Sequence, residues 1–584
     1  MSDELLEYYR RELAYLRTQS ADFALRYPKV AQRLVLSGGE SADPHTERLI
    51  ESVAFLTARV HRDLDRDFPT VAGALLENLC PSLTQPVPAM TVVQMTLDPS
   101  QGKVTAGMPV ARGTMLSTTA AGGENLRFQV AAGTTLWPLR VAAVKLDGER
   151  MLRLELACAE GVDVAELELD TLRLHLSGDL MTTMPLHELL IAGLERIELI
   201  GGDGSVHRLG PHSLVEVGFA EEEAILAHPT HAHPAYALLQ EYFAFPRKFQ
   251  FFDLKGLRGR LGRGAGFAVR FVFDRSAAVL PQLGHDSFLL GCVPAVNLFR
   301  QTSEPIRMDR QHYEYMLMPD HQRDASTEVH SVLAVTASDP RAERALEIPS
   351  VFAESSPDEP DGAGVFWSLR RQTSLRKGIS GTDAFISFID RSDVRAMPDT
   401  PVVYAQLLCT NRKLAEQAGP GTLFYGEGIS SSTTIRALYQ PSLQRPPVLE
   451  ARAMWSLVAL LRLNHRSLVD GTTGVQTLRQ MLLLFAGESA RDQAQVRGIK
   501  SMTAHPATAR LGRELWRGHC RGTDIVLEFD PDAFIGTSPL VLAGVLSRFF
   551  ALYTSANSFV RLSVTRHGEP WMQWPAMSGR QCLI

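Results

Sequence analysis

Apolar residues in this chain recur at three- and four-residue steps up to about residue 85, and at every second position after Pro86 and Pro88. The first spacing lays a stripe along an α-helix, the second turns one face of a β-strand toward a core, and no single element satisfies both. The sequence therefore specifies an α+β multi-domain chain whose helices come first. At 584 residues it exceeds what one hydrophobic core can serve, so roughly three to five packed units are expected.

The first helix carries a narrow stripe. Leu6, Tyr9, Leu13 and Leu16, then Phe23 and Tyr27, fall on alternating steps with Ser20 interrupting, and Pro28 closes the segment. A seam two positions wide per heptad suits partner helices in a bundle; an amphipathic helix lying on its own domain is the other reading. A second helix begins at SADPHTER, with Asp43 placed to cap it, Pro44 at its first position and Glu47 near the positive end of its dipole. Leu49, Val53, Leu56, Val60 and Leu64 continue a similar narrow seam until Phe68 and Pro69. Residues 1–88 thus read as a helical bundle segment.

From residue 89 the segments TVVQMTL, LRFQVA, LRLELA and LRLHL alternate apolar with polar residues, and DPSQG, LDGE and SGD supply turns between them. This predicts a mostly antiparallel β domain over 89–220. A mixed, β-rich domain follows over 221–448, with Glu221 to Phe245 helical, KFQFFDLKG and GFAVRFVFD as strands, and SSPDEPDGAG as an exposed loop. Helical patterns return in MWSLVALLRLNHRSL and VQTLRQMLLLFA, while TDIVLEFD reads as a strand. PLVLAGVLSRFFALYTSANSF reads as an amphipathic helix entering a final strand, its stripe of Leu546, Phe549, Phe550 and Tyr553 turned inward, which completes an α/β domain over 449–584.

One stretch, EYFAFPRKFQFFDL, gathers Tyr242, Phe243, Phe245, Phe249, Phe251 and Phe252 around Pro246, beside Arg247 and Lys248. Aromatics next to cations serve single-strand nucleic-acid binders. The whole chain, however, carries 59 Lys+Arg against 65 Asp+Glu, a formal net charge of -6, which gives no general attraction for phosphate. The stretch reads as core. A strand is expected to begin after Pro246, with Phe249 and Phe251 on one side and Arg247 and Lys248 at its solvent edge.

Catalytic signals are scarce. The cysteines Cys80, Cys158, Cys292, Cys409, Cys520 and Cys582 are scattered without CxxC spacing, as in a reducing compartment. GRLGRGAG, with Gly259, Gly262, Gly264 and Gly266 among Arg258, Arg260 and Arg263, lacks the Lys-Ser/Thr pair and following helix of a phosphate cradle, and reads as a basic hairpin. His228, His231 and His233 in AHPTHAHPA are interrupted by prolines and read as a surface loop, although such residues can ligate metal. The charged N-terminus is no signal peptide, no run approaches the ~18 apolar residues of a membrane span, and RQCLI places Cys582 too near the end for a prenylation box.

Taken in order, YYRRELAYLR, FALRYPKVAQRL, ADPHTERLIESVAFLTARV, LDRDFP, EYFAFPRKFQFFDLKGL, NLF with SEPIRMD and EYMLMPD, LLCTNRKL, WSLVALLRLNHRSL and LSRFFALYTSANSFVRL resemble the TssF family of bacterial type VI secretion systems. LCPSLTQPVPAM departs from the aromatic-rich version usual there, at Leu79 to Ser82. The resemblance implies a cytoplasmic baseplate wedge protein without cofactor or catalysis, its β domains projecting as wings. It further implies that two copies clasp one TssG through a helical core bundle, and that the wedge engages TssK, the sheath initiator TssE and the VgrG hub, against the inner-membrane complex. The bundle seam would then be Leu6, Tyr9, Leu13, Leu16, Phe23, Leu49, Val53, Leu56 and Val60. A wedge component of a contractile phage tail or extracellular contractile particle would share this architecture. From another class, a nucleotide- or metal-dependent enzyme would rest on GRLGRGAG and the histidines.

Overall fold

A computed structural model describes residues 3–27, 29, 36–37, 40–41, 43–98, 105–226, 234–275, 283–309, 311–338, 345–351, 364–390, 398, 401–430, 432–461, 471–510, 519–555 and 557–579. The chain forms two compact units, Met1–Leu76 with Val448–Val458, and Glu77–Pro447 with Ala459–Ile584.

The smaller unit is built on two helices, α1 (Asp3–Arg26) and α2 (Pro44–Leu79). Asp43 caps α2 as its sequence position suggests, its carboxylate accepting from the His45 amide at 3.1 Å. The seam ends at Pro69, but α2 runs through the proline to Leu79. Leu76 beyond the proline is fully buried, so tertiary packing outweighs the hydrogen bond a mid-helix proline forfeits.

The larger unit is organised around a closed barrel. Met90–Leu97, Thr433–Ala437, Leu423–Gly426, Met115–Thr119, Asn125–Val130 and Cys292–Val296 pair in that order around the ring, with Val93, Leu116, Phe128 and Ala295 filling the interior. Beside it lies a sandwich. Its five-stranded sheet runs Val206–Leu209, Leu194–Gly201, Gly266–Phe273, Met151–Cys158, Leu139–Leu146; its four-stranded sheet runs Leu214–Val217, Phe251–Lys255, Thr171–Leu176, Phe288–Leu289. Helix α3 (Leu180–Ala192) packs Leu186, Leu189 and Leu190 into the core these sheets share. A second pair of antiparallel sheets, centred on Val402–Thr410 and Thr382–Ile389, encloses Val335, Ile386, Phe388 and Leu407.

Of the predicted helix at Glu221 to Phe245, the described residues include α4 (Pro234–Ala244). Glu221–Glu223 is a short 3-10 turn, because Glu223 spends its carboxylate on the amides of Gly218 (2.6 Å) and Ala220 (3.1 Å). Most of α5 (Ala451–Leu461) belongs to the smaller unit; in the larger one α6 (Gly471–Ala486), α7 (Ala490–Arg497) and α8 (Pro539–Tyr553) pack with the sheet holding Ile499–Arg510, His519–Phe529 and Ser558–Arg566. The last two of these strands run parallel, and α8 makes the crossover between them. Helix α8 is buried on all faces and not amphipathic as read, since only Arg548 and Leu552 are not fully covered. Three strands follow it where one was expected: Ser558–Arg566, Glu569–Gln573 and Met577–Ser578.

Candidate interaction surface

The helical pair inverts the usual division of labour between large and small residues. Glu12 of α1 is hydrogen-bonded to His61 Nδ1 (2.9 Å), and Arg17 donates to Glu47 (2.7 Å), tying α1 to α2. The fully buried positions of α2 here are alanines, Ala54 and Ala58. Its large apolar residues Leu49, Val53, Leu56 and Val60 are 65%, 43%, 60% and 55% exposed. They form one continuous stripe about 16 Å long, and Tyr9, Phe55 and Leu56 line an open depression beside it. On α1, Leu6, Tyr9, Leu13 and Leu16 are half-buried and Phe23 is exposed.

The aromatic stretch is core, by a different local route from the one expected. Tyr242, Phe243, Phe245, Phe249, Phe251 and Phe252 are all buried, and Pro246 is partly covered. Pro246–Phe249 is a 3-10 turn, and the strand starts only at Phe251, so Phe249 and Phe251 do not share a strand face. Lys248 is not at a solvent edge. It is buried against Glu241 Oε2, whose other oxygen accepts from the amides of Ile225 and Leu226 at 2.7 Å each. That ion pair pulls the chain inward and bends it into the turn. Gly218 permits the approach: its φ is 104, and a Cβ there would lie 2.7 Å from the Lys248 carbonyl oxygen. Arg247 instead lies over the Tyr439 ring at 3.6 Å and donates to the Gly178 carbonyl at 3.1 Å.

Three cores meet along this stretch. Phe249 packs against Phe219 and Tyr242, Phe251 faces Met90, Val92 and Cys292 on the outside of the barrel, and Phe252 enters the sandwich. Leu546, Phe549, Phe550 and Tyr553 of α8 are buried as expected, and the Tyr236 ring of α4 contacts Phe549 and Tyr553.

Burial at the sandwich marks one histidine of α3. The His187 ring, 5.1 Å from that of Phe252, has its pKa pushed by burial from 6.5 down to about 4. The unfolded chain therefore binds a proton below pH 6.5 that the folded chain refuses until about pH 4, so stability is full above pH 6.5 and falls as pH drops through that window. Between pH 7.5 and 5 the wild type should lose about 2 kcal/mol more than His187→Leu, read from urea unfolding at both values. Parallel pH profiles would refute this.

Sequence reasoning missed two polar locks. Asn297 and Asn411 bond each other twice, side chain to side chain at 2.8 Å and Asn411 amide to Asn297 Oδ1 at 2.7 Å, while Asn411 Oδ1 also accepts from the Arg127 amide at 2.9 Å. Buried Glu328 accepts from the amide of Thr382 (2.7 Å) and from the Gln444 side chain (2.6 Å), with Arg412 at 3.8 Å. The available signal was that NLF and LLCTNRKL are both landmarks of the resemblance; they contain Asn297 and Asn411, which touch.

Of the features held for an enzyme, the described residues bear on GRLGRGAG. GRLGRGAG is not a hairpin, because the strands on either side of it, Phe251–Lys255 and Gly266–Phe273, belong to different sheets. Two of its amides are already occupied: Arg263 donates to Asp203 (3.3 Å) and Gly264 to Asp163 (3.1 Å), so these donors face carboxylates and not an incoming phosphate. His228, His231 and His233 lie outside the described residues, as does most of SSPDEPDGAG. Among the described residues no cluster of metal-ligating side chains occurs, and no helix is long and apolar enough to cross a membrane.

Comparison with known proteins bears on the whole chain. The family model for "Type VI secretion system, TssF" matches residues 1–581. A type VI secretion system component TssF1 of Pseudomonas aeruginosa is 32% identical over 618 aligned residues, covering 99% of both chains. A chain in the cryo-electron microscopy structure of a type VI secretion TssK-TssF-TssG baseplate subcomplex superposes with a TM-score of 0.74 at 24% identity, over 91% of this chain and 98% of that one. One in a type VI secretion baseplate complex gives 0.58 at 21% identity, over 99% and 100%. These two likenesses establish the shared fold.

Proposed function

The chain belongs to the TssF family of type VI secretion systems, and from that premise we propose that the exposed stripe of its second helix is the surface by which it joins the wedge. Its role is structural, as a baseplate wedge component, and not enzymatic. The observation that carries the proposal is the inverted burial of α2, with alanines inside and Leu49, Val53, Leu56 and Val60 outside. Each such side chain gains roughly 1.5 to 3 kcal/mol when fully taken out of water, and a stripe of this kind drives association. Together with Leu6, Tyr9, Leu13, Leu16 and Phe23 it offers a seam for TssG and for a second copy of this chain. The similar solved chain stands in a subcomplex with TssK and TssG; for the present chain TssK, TssE and the VgrG hub are proposed partners of the larger unit, in the cytoplasm against the inner-membrane complex. As working divisions we propose 1–88, 89–220, 221–448 and 449–584, with the two central ones moving together because both contribute strands to the barrel.

Leu56→Asp tests the seam. The residue is exposed in the lone chain, so melting should be unchanged, whereas an unpaired charge buried in an assembled bundle costs several kcal/mol. Co-purification with TssG is expected to be lost. Wild-type recovery of TssG by this variant would remove the stripe from the interface.

A further inference from the structure

A groove of about 260 Å³ opens in the larger unit between α3, the residues leading into α8, and the pair of strands Ser558–Arg566 and Glu569–Gln573. Its walls are mostly apolar, with Met184, Phe534 and Trp571 inside and Met181 and Ile535 at the mouth, 55% and 70% exposed. Methionine side chains adapt to varied apolar guests. Glu188 also lines it, and the only hydrogen bond to its carboxylate among the described residues comes from the Ser538 hydroxyl at 2.7 Å. No cation reaches Glu188 at ion-pair distance among those residues. Arg566 on the same groove instead lies 5.0 Å over the Trp571 ring. Burial raises the Glu188 pKa, with Ser538 and the fields of Arg566 and Arg275 opposing. The Thr537 hydroxyl in the same wall is buried without a hydrogen-bond partner among the described residues, and a hydroxyl can serve a peptide group as donor or acceptor.

We propose that this groove docks a segment of another protein, which seats one large apolar side chain among Met184, Phe534 and Trp571 and brings a neighbouring ammonium or guanidinium to Glu188. Charge complementarity selects that occupant: a half-desolvated carboxylate without a cation gains most from a partner that supplies one. One carboxylate is too few ligands to hold a metal ion, and the exposed apolar rim fits a chain that continues past the pocket. The proposal stands apart from the helical seam.

The test places a photo-crosslinking p-benzoylphenylalanine at Ile535 in cells assembling the secretion apparatus, and maps the attachment by mass spectrometry. The expected result is one identified segment with Lys or Arg within about three residues of an apolar attachment site. Glu188→Lys should cut the yield at least tenfold and Glu188→Gln, which keeps an acceptor for Ser538, at least threefold, with thermal melting recorded for both. If the Lys variant melts early, the Gln variant alone decides. No protein crosslink, an attachment site without a nearby cation, or yields unchanged in the folded variant would each overturn the proposal.

Discussion

Phe249→Ala should destabilise the larger unit by about 3 to 5 kcal/mol, the range for deleting a buried phenylalanine ring. Phe249 is fully buried, 4.8 Å from the Phe219 ring and 6.0 Å from that of Tyr242, with the Lys248 ammonium 5.5 Å from its centroid. The cavity cannot collapse cheaply. Its neighbours are fixed from elsewhere, Tyr242 by a 2.8 Å hydrogen bond to Gln495 and Phe219 beneath the Arg548 guanidinium at 4.1 Å. Urea unfolding of the full chain reads the loss, and an unchanged midpoint would show that this ring is not part of the packed core.

Lys248→Met is expected to cost a similar amount for a different reason. Methionine fills most of the lysine's volume, so little packing is lost, but Glu241 remains buried with its charge uncompensated. Removing one partner of a buried ion pair costs about 3 to 5 kcal/mol, whereas replacing both is often close to neutral. Glu241→Gln combined with Lys248→Met should therefore recover most of the stability, the glutamine oxygen still accepting from the Ile225 and Leu226 amides. If the single variant unfolds at the wild-type midpoint, or the double variant is worse than the single, the pair does not hold this segment in place.

Much of this architecture is visible in the primary structure where the determining contacts are local. The change of period at Pro86 and Pro88 separates α2 from the first barrel strand, Met90–Leu97, and Asp43 marks a helix start that the structure keeps. Aromatic density together with a net charge of -6 identifies Tyr242 to Phe252 as core. What escaped is non-local. Nothing in KFQFF says that Lys248 is buried, because the carboxylate that holds it is on α4 and is itself fixed by amides from a preceding loop. Asn297 and Asn411 find each other only once the barrel and the sheet containing Val402–Thr410 exist. Helix α8 is a different case, since PLVLAGVLSRFFALY is apolar nearly all round, which already indicates a helix enclosed on every side. The seam residues show the converse: their spacing marks a stripe, and only the buried Ala54 and Ala58 reveal which face the lone chain leaves open.

The barrel also sets a schedule for synthesis. Met90–Leu97 pairs with Thr433–Ala437, so its partner leaves the ribosome roughly 340 residues later, about 20 to 70 seconds at bacterial elongation rates. Until residues 423–437 emerge, the inward-facing Val93 and Leu116 belong to strands that each keep an unpaired edge, the state in which nascent chains recruit holding chaperones or aggregate. A nonsense mutation between these two strands would thus release a polypeptide that cannot close its central ring, and proteolysis should remove it before any wedge is built.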